Sequence, residues 1–495
     1  MNNKSLSFLL ITLSIGLFAQ SPKHEFRGIW VSTVNNLDWP SSSKLSTEQQ
    51  KEEFIKILDN LQEFNINAVF VQVRAAGDAF YPSKIEPWSV WLTGKQGKAP
   101  EPYYDPLQFM IEACHKRNIE FHAWFNLVRG VSHMRFFPAS KDHIFTKHPE
   151  WFFEIGERRF FNQGIPEVRD YTINVILDVV NRYSQIDGVH LDDYFYPEEI
   201  RQKKLTDRST FDKYKGTFTD IDAWRRHNID TLVFSLSDSI NKINPDIKFG
   251  ISPVSVWRHK HLDPTGSDTK LSLCAYDDLC ADTKKWIELD WIDYIIPQNY
   301  GNTASNIVKH KSITDWWGSL DTDRHRYIGN ALYKWGTDSW SEWKRSNEIP
   351  LQISIQRDNS GLKGNALFRY QSLLLLPKPL KESLQQSYNQ LALTPSMDWK
   401  CEDLLPEAPF DVVSSSENDS LSIEIHSDNE KDKFLVYGFE KGESLNISNF
   451  NNLLSFTDQG KLQIWIDPKI KKIIITTVDK CNRESEDFFG FKIKK

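Results

Sequence analysis

Cysteine is scarce in this chain: five among 495 residues, at positions 114, 274, 280, 401 and 481. So few, so widely scattered, exclude a disulfide framework as the basis of the fold, and their spacing matches no zinc ligand set. Cys274 and Cys280 are near enough in the chain to pair across a loop in an oxidising compartment. A cationic excess is also missing. The formal net charge of -7 gives no electrostatic reason to expect nucleic acid or an anionic membrane surface as a partner. No HExxH, GxSxG or Walker-type motif occurs, so the zincin, nucleophile-elbow and P-loop chemistries have no signature here. Nor does a Gly-rich phosphate fingerprint follow an early strand, which disfavours a doubly wound nucleotide-binding sheet.

Long apolar runs are confined to the N-terminus. MNNKSLSFLLITLSIGLFAQS places Lys4 before an apolar run over residues 6–19, then small or polar residues. That is the layout of a secretory signal peptide, 1–20, with cleavage beside Ala19 or Gln20 and no following Cys for a lipid anchor. The expectation is a secreted or periplasmic protein, monomeric, with no transmembrane segment in the mature chain.

What the chain has in plenty is aromatic. Its 17 Trp, 16 Tyr and 31 Phe suit a filled core and also a groove that stacks on flat ring faces. From residue 26 to about 375, β-like runs alternate with helical patterns. The runs cover 26–33, 68–74, 119–126, 188–194, 247–257, 291–300, 325–333 and 365–370. Between the first two, Phe54, Ile57, Leu58, Leu61 and Phe64 form one helical face after a Ser46-x-x-Gln49 capping signal. Later, Ile173, Ile176, Leu177 and Val180 follow Asp170 as N-cap, and KESLQQSYNQLAL is the last helical segment. Eight strand–helix units predict an α/β fold, a (β/α)8 TIM barrel over 24–400, with insertions at 198–220 and 258–285. LLPEAP is a linker. Beyond it seven short strands with turn residues between them predict a small all-β sandwich of immunoglobulin/fibronectin type over 406–495.

GVHLDDYFYP, residues 188–197, carries the chemistry. Side chains alternate along a barrel strand, so Val189 and Leu191 face the helices while His190 and Asp192 point inward, Asp192 nearest the C-terminal mouth. Asp193 comes where the strand ends; it is either a second functional carboxylate or a turn cap. The same alternation offers Gln72 and Arg74 from the second strand, and His122, Trp124 and Asn126 from the third. The sixth offers Gln298 and Tyr300, and the seventh Asn330. Trp30, Tyr194 and Trp257 near strand ends are stacking platforms or lids on the core. Carboxylates, amides and aromatics around one cleft suit a polyhydroxylated ligand, and cleavage at an anomeric carbon needs one acid and one carboxylate nucleophile or base. Two alternatives stand beside this: a non-catalytic glycan-binding envelope protein, and a metal-dependent hydrolase with Asp192, Asp193, His122 and His190 as ligands.

FRGIWVSTVNNLDWPS, YYDPLQFMIEACHKRNIEFHAWFN, PEVRDY, GVHLDDYFYP, GISPVSVWR and WIDYIIPQNY resemble the bacterial glycosyl-hydrolase-like family 10 over residues 24 to about 375. The resemblance implies a secreted or envelope-associated TIM-barrel glycosidase with a C-terminal fibronectin-like domain; no cofactor and no metal are expected. It places the family's paired aspartates on Asp192 and Asp193, Asp192 being the nucleophile or base. It also makes cell-wall glycan strands lacking peptide stems a candidate substrate, alongside other polysaccharides. No Glu ends the fourth strand, so the paired-Glu arrangement of a large glycosidase clan is absent. Asp193, Asp78 and Glu198, in that order, are candidates for the partner acid.

Overall fold

The computed structural model describes residues 21–198, 207–305, 309–401, 404–417, 420–426, 433–448, 450–457 and 460–493; the expected signal peptide lies outside them. Eight parallel strands form the first sheet. They are β1 (Phe26–Val31), β2 (Ala68–Arg74), β3 (Glu120–Phe125), β4 (Gly188–Leu191), β5 (Lys248–Ile251), β6 (Tyr294–Ile295), β7 in two pieces (His325–Arg326 and Ile328–Asn330) and β8 (Gly364–Leu367). The first piece of β7 pairs with β6 and the second with β8, which pairs with β1, so the sheet closes on itself. The break falls at Tyr327, whose ring stacks on Phe26 at 4.1 Å inside the barrel.

Helices follow each strand: α1 (Thr47–Gln62), α2 (Pro106–His115), α3 (Pro166–Arg182), α4 (Ile221–Ile243), α5 (Thr283–Glu288), α6 (His310–Gly318), α7 (Glu348–Arg357) and α8 (Lys378–Ser387). The capping box forms as read: Ser46 accepts from the Gln49 N–H while Gln49 reaches back to the Ser46 N–H, and Phe54, Ile57, Leu58 and Leu61 are buried. Asp170 is not an N-cap. Pro166 starts α3 earlier, because its fixed φ suits the first helical position and it needs no N–H there. The last helix also stops short of the expected 393. Residues near Leu393 leave it to exchange backbone hydrogen bonds with Lys23 and Glu25.

The barrel interior is packed. Phe26, Trp30, Phe70, Trp124, Tyr294, Ile296 and Tyr327 form one buried cluster, each such side chain contributing roughly 1.5–3 kcal/mol. Two glycines make room for it. A Cβ on Gly188 would lie 2.3 Å from His122 Nδ1, and one on Gly250 2.2 Å from Tyr294. With the interior filled, a ligand has access only at the ends.

From Asp411 the chain forms two antiparallel sheets, one of three strands (Asp411–Glu417, Ser420–His426, Lys461–Trp465) and one of four (Leu453–Thr457, Lys433–Glu440, Ile470–Val478, Phe489–Lys492). Alternating Leu421, Ile423 and Ile425 of the first pack on Phe434, Val436, Ile473 and Ile475 of the second. This unit docks on the N-terminal end of the barrel. Asn482 donates to Glu120 Oε1 at 3.3 Å at the start of β3, and Lys480 pairs with Asp246 at 2.9 Å. A Cys401–Cys481 disulfide fastens it. Cys274 and Cys280, which their spacing would allow to pair, do not: both stay buried thiols, separated by the helical turn Ala275–Asp278. Among the described residues no helix is long and apolar enough to cross a membrane.

Candidate active site

Asp192 follows the last residue of β4 and is 5% exposed. Its Oδ2 accepts from Asn126 Nδ2 at 2.6 Å and Trp124 Nε1 at 3.3 Å, and its Oδ1 from the Tyr194 N–H at 3.4 Å. Asn126 cannot present its oxygen instead. That oxygen already accepts the backbone N–H groups of Arg129 at 2.7 Å and Val128 at 3.2 Å. Burial pushes the Asp192 carboxyl up to about 6, against the Arg129 charge and the Asn126 and Trp124 hydrogen bonds, which favour its ionised form.

Asp193 is half-buried beside it. Burial first, and the Asp192 charge second, push its carboxyl up to about 7, while a hydrogen bond with Gln298 acts the other way. Gln298 is fixed by donating to the Ser252 carbonyl at 2.8 Å. Tyr300 places a buried hydroxyl, without a hydrogen-bond partner among the described residues, in the field of Asp193. Tyr194 is 36% exposed, with the Arg129 guanidinium 6.0 Å from its ring. A cleft of about 440 Å³ is lined by Asn126, Arg129, Ser132, Phe160, Tyr194 and Glu198. A larger cavity of about 960 Å³, lined by Asp290, Arg324, His325 and Trp399, lies at the N-terminal end, away from both aspartates. Its one Trp is covered by Arg324 at 4.3 Å.

Several other expected site residues lie deeper. The Trp30 N–H points at His190 Nε2 at 3.3 Å, a nitrogen that also meets the Ser252 hydroxyl at 3.0 Å, and His190 Nδ1 meets the Tyr294 hydroxyl at 3.2 Å. Burial and neighbouring His122 hold His190 neutral. Tyr294 also meets His122 Nδ1 at 3.0 Å, and His122 Nε2 faces Glu120 at 3.1 Å. All four ring nitrogens are thereby engaged inside the barrel, which leaves neither histidine turned to join the aspartates around a metal. Among the described residues no group of three or more His, Cys, Asp or Glu is arranged to hold one. Gln72 supports the loop after β1, its Oε1 accepting from the Val34 N–H at 3.0 Å.

Three expected ligand contacts are committed elsewhere. Arg74 does not face the cleft: a register shift at the end of β2 turns its guanidinium onto Glu86, at 2.7–3.0 Å, and the Asn126 carbonyl at 2.6 Å. Asn330 points outward, to Gln352 on α7 at 2.8 Å, because Gly329 takes the inward position against Trp30. Trp257 is buried in the loop after β5, donating to Asp282 at 2.8 Å and stacked on Trp316 at 5.9 Å. Asp78 is buried among Ala76, Ser89 and Gln96, and burial pushes it up to about 7. Glu198 lines the cleft. Arg129 escaped the sequence reading; its signal is the NLVRG loop that follows directly from Asn126 at the C-terminal end of β3.

A family model described as glycosyl hydrolase-like 10 matches residues 25–346. The chain is 42% identical over 450 residues to glycosyl hydrolase YngK of Bacillus subtilis, covering 88% of this chain and 87% of that one. It is 38% identical over 376 residues to glycosyl hydrolase DigH of Escherichia coli K12, covering 71% and 84%. Among solved structures, the endo-beta-1,4-mannanase from Thermotoga petrophila aligns with a TM-score of 0.45 at 9% identity, over 95% of this chain and 98% of that one.

Proposed function

The chain belongs to the glycosyl hydrolase-like 10 family, and we propose that it hydrolyses O-glycosidic bonds in a polysaccharide, cell-wall glycan strands first among them, with Asp192 and Asp193 as its two carboxyls. The observation that carries this reading is the pair itself. Asp192 is clamped by two N–H donors that favour its anion, and the neighbouring carboxyl is held near neutral pH. Glycoside cleavage needs that division of labour: one carboxylate to attack the anomeric carbon or activate water, and one carboxylic acid to protonate the leaving oxygen. Asp192 takes the first role. Asp193, whose proton is retained up to about pH 7 partly because Asp192 is charged, takes the second. Tyr300 and Gln298 supply hydroxyl and amide contacts around Asp193, and Tyr194 supplies an exposed ring for a sugar face.

The three-plus-four strand arrangement supports reading residues 406–495 as a fibronectin type III-like sandwich that braces the barrel floor. The leader composition supports export to the periplasm or beyond.

Release of reducing ends from purified peptide-free glycan strands tests the assignment. Asp192→Asn is expected to lose turnover by about a thousandfold or more while its circular dichroism stays unchanged. Wild-type turnover in that variant would overturn the role of Asp192. Strands that bind the wild-type protein but keep their length would instead make it a glycan-binding protein.

A further inference from the structure

Several buried or half-buried arginines in this molecule are matched to acids, while Arg326 is held by the Leu320, Thr322 and Gly361 carbonyls at 2.9–3.0 Å and Arg169 by the Gln163 carbonyl at 2.7 Å. Arg27 and Arg357 share Glu25, Arg74 holds Glu86, and Arg225 pairs with Asp207. Arg129, half-buried beside the active site, has neither a paired acid among the described residues nor a short carbonyl bond. Its one side-chain hydrogen bond is a long one, 3.4 Å to the Ala75 carbonyl, and its guanidinium lies 6.0 Å from the Tyr194 ring. Its charge acts on Asp192, but its planar fork, shaped to hold a carboxylate, holds none among the described residues.

Its surroundings say where such a partner would come from. Arg129 lines the 440 Å³ cleft together with Asn126, which clamps Asp192, and Tyr194, the exposed ring. The cleft walls also carry Arg158, packed on Phe160 at 5.2 Å, and Glu198. The backbone of Arg129 is fixed by its N–H to Asn126 Oδ1 at 2.7 Å, so the base of the side chain is held relative to Asp192.

We propose that Arg129 forms a subsite beside Asp192 that binds the carboxylate of an acidic sugar residue, making the protein selective for glycans that carry such groups. This rests on the hydrolase reading for its consequence in turnover, though the recognition itself does not require cleavage. Peptide-free cell-wall glycan carries a carboxylate on alternate sugars, and reducing those carboxyls to alcohols yields a neutral polymer with the same linkages.

The experiment compares these two polymers. Wild-type kcat/KM is expected to favour the carboxylated strand by roughly 10–100-fold, the range for a hydrogen-bonded charge pair. Arg129→Gln is expected to reduce that ratio to about one, and Arg129→Lys to restore part of it. Equal wild-type kcat/KM on both polymers would overturn the subsite and leave the hydrolase reading standing. An Arg129→Gln ratio equal to wild type would do the same, assigning Arg129 to support of Asp192 alone. Titration calorimetry on Asp192→Asn, with and without Arg129→Gln, separates the two failures. If wild type cuts neither polymer but Asp192→Asn prefers the acidic oligosaccharide through Arg129, the subsite stands and the hydrolase reading falls.

Discussion

Asn126 donates to Asp192 Oδ2 at 2.6 Å, and it can do so in one orientation only, because the two N–H groups that follow it in the chain hold its oxygen. The loop after β3 thus fixes the charge-stabilising donor at the end of β4.

Reversing that donor should move the titration of Asp192. Asn126→Asp keeps the two backbone acceptor contacts but turns a carboxylate oxygen toward Asp192. The loss of a hydrogen bond to a charged group, joined by like-charge repulsion, should raise the acidic limb of the pH–kcat/KM profile by roughly one to two pH units. An unmoved limb would detach Asn126 from the reaction.

The dyad should give a bell-shaped profile. Activity is expected to fall below about pH 6 as Asp192 gains a proton and above about pH 7 as Asp193 loses one. In Asp193→Asn the alkaline limb should disappear, the acidic limb should stay near pH 6 because Asp193 is already uncharged there, and turnover should drop by about a hundredfold to ten-thousandfold. Activated-leaving-group substrates, which need no acid, should recover much of that loss.

Stability should run opposite to ionisation at the same site. Burial raises Asp192 from 3.8 to about 6 in the folded chain, so its contribution to stability is fully present below about pH 4 and is lost as pH rises through about 6. Asp192→Asn removes that penalty. At pH 8 it should be more stable than wild type by about 3 kcal/mol, with no such gain at pH 4, as read by urea unfolding at the two pH values.

Arg74 should matter to folding rather than to substrate. Glu86→Gln leaves a buried guanidinium with a neutral partner and is expected to cost about 3–5 kcal/mol in denaturant unfolding. The KM of the folded fraction should stay near wild type. A raised KM without destabilisation would return Arg74 to the binding site.

Period-two alternation made the eight strands and the inward set of His190 and Asp192 legible, because a barrel strand has only two faces and Val189 and Leu191 claim the outer one. The same rule misplaced Asn330. Pairing breaks at Tyr327, and Gly329 rather than Asn330 meets Trp30 inside, a register no local pattern records. Arg74 failed for another reason: Glu86 lies twelve residues on, and only the folded loop after β2 brings it back over the strand end. Trp257 was drawn off by Asp282 and Trp316, both on later segments.

The amino-acid order alone determined the barrel, the strand-end aspartates and the β-rich tail, since these follow from local periodicity, capping and turn chemistry over a few residues each. Which polar side chains reach a ligand and which spend themselves on one another was decided only by the closed tertiary structure. The reason is that a buried charge or amide takes its nearest partner in space, and for Arg74, Asn330, Arg129 and Cys401 that partner, or its absence, is set by chain segments far away in sequence.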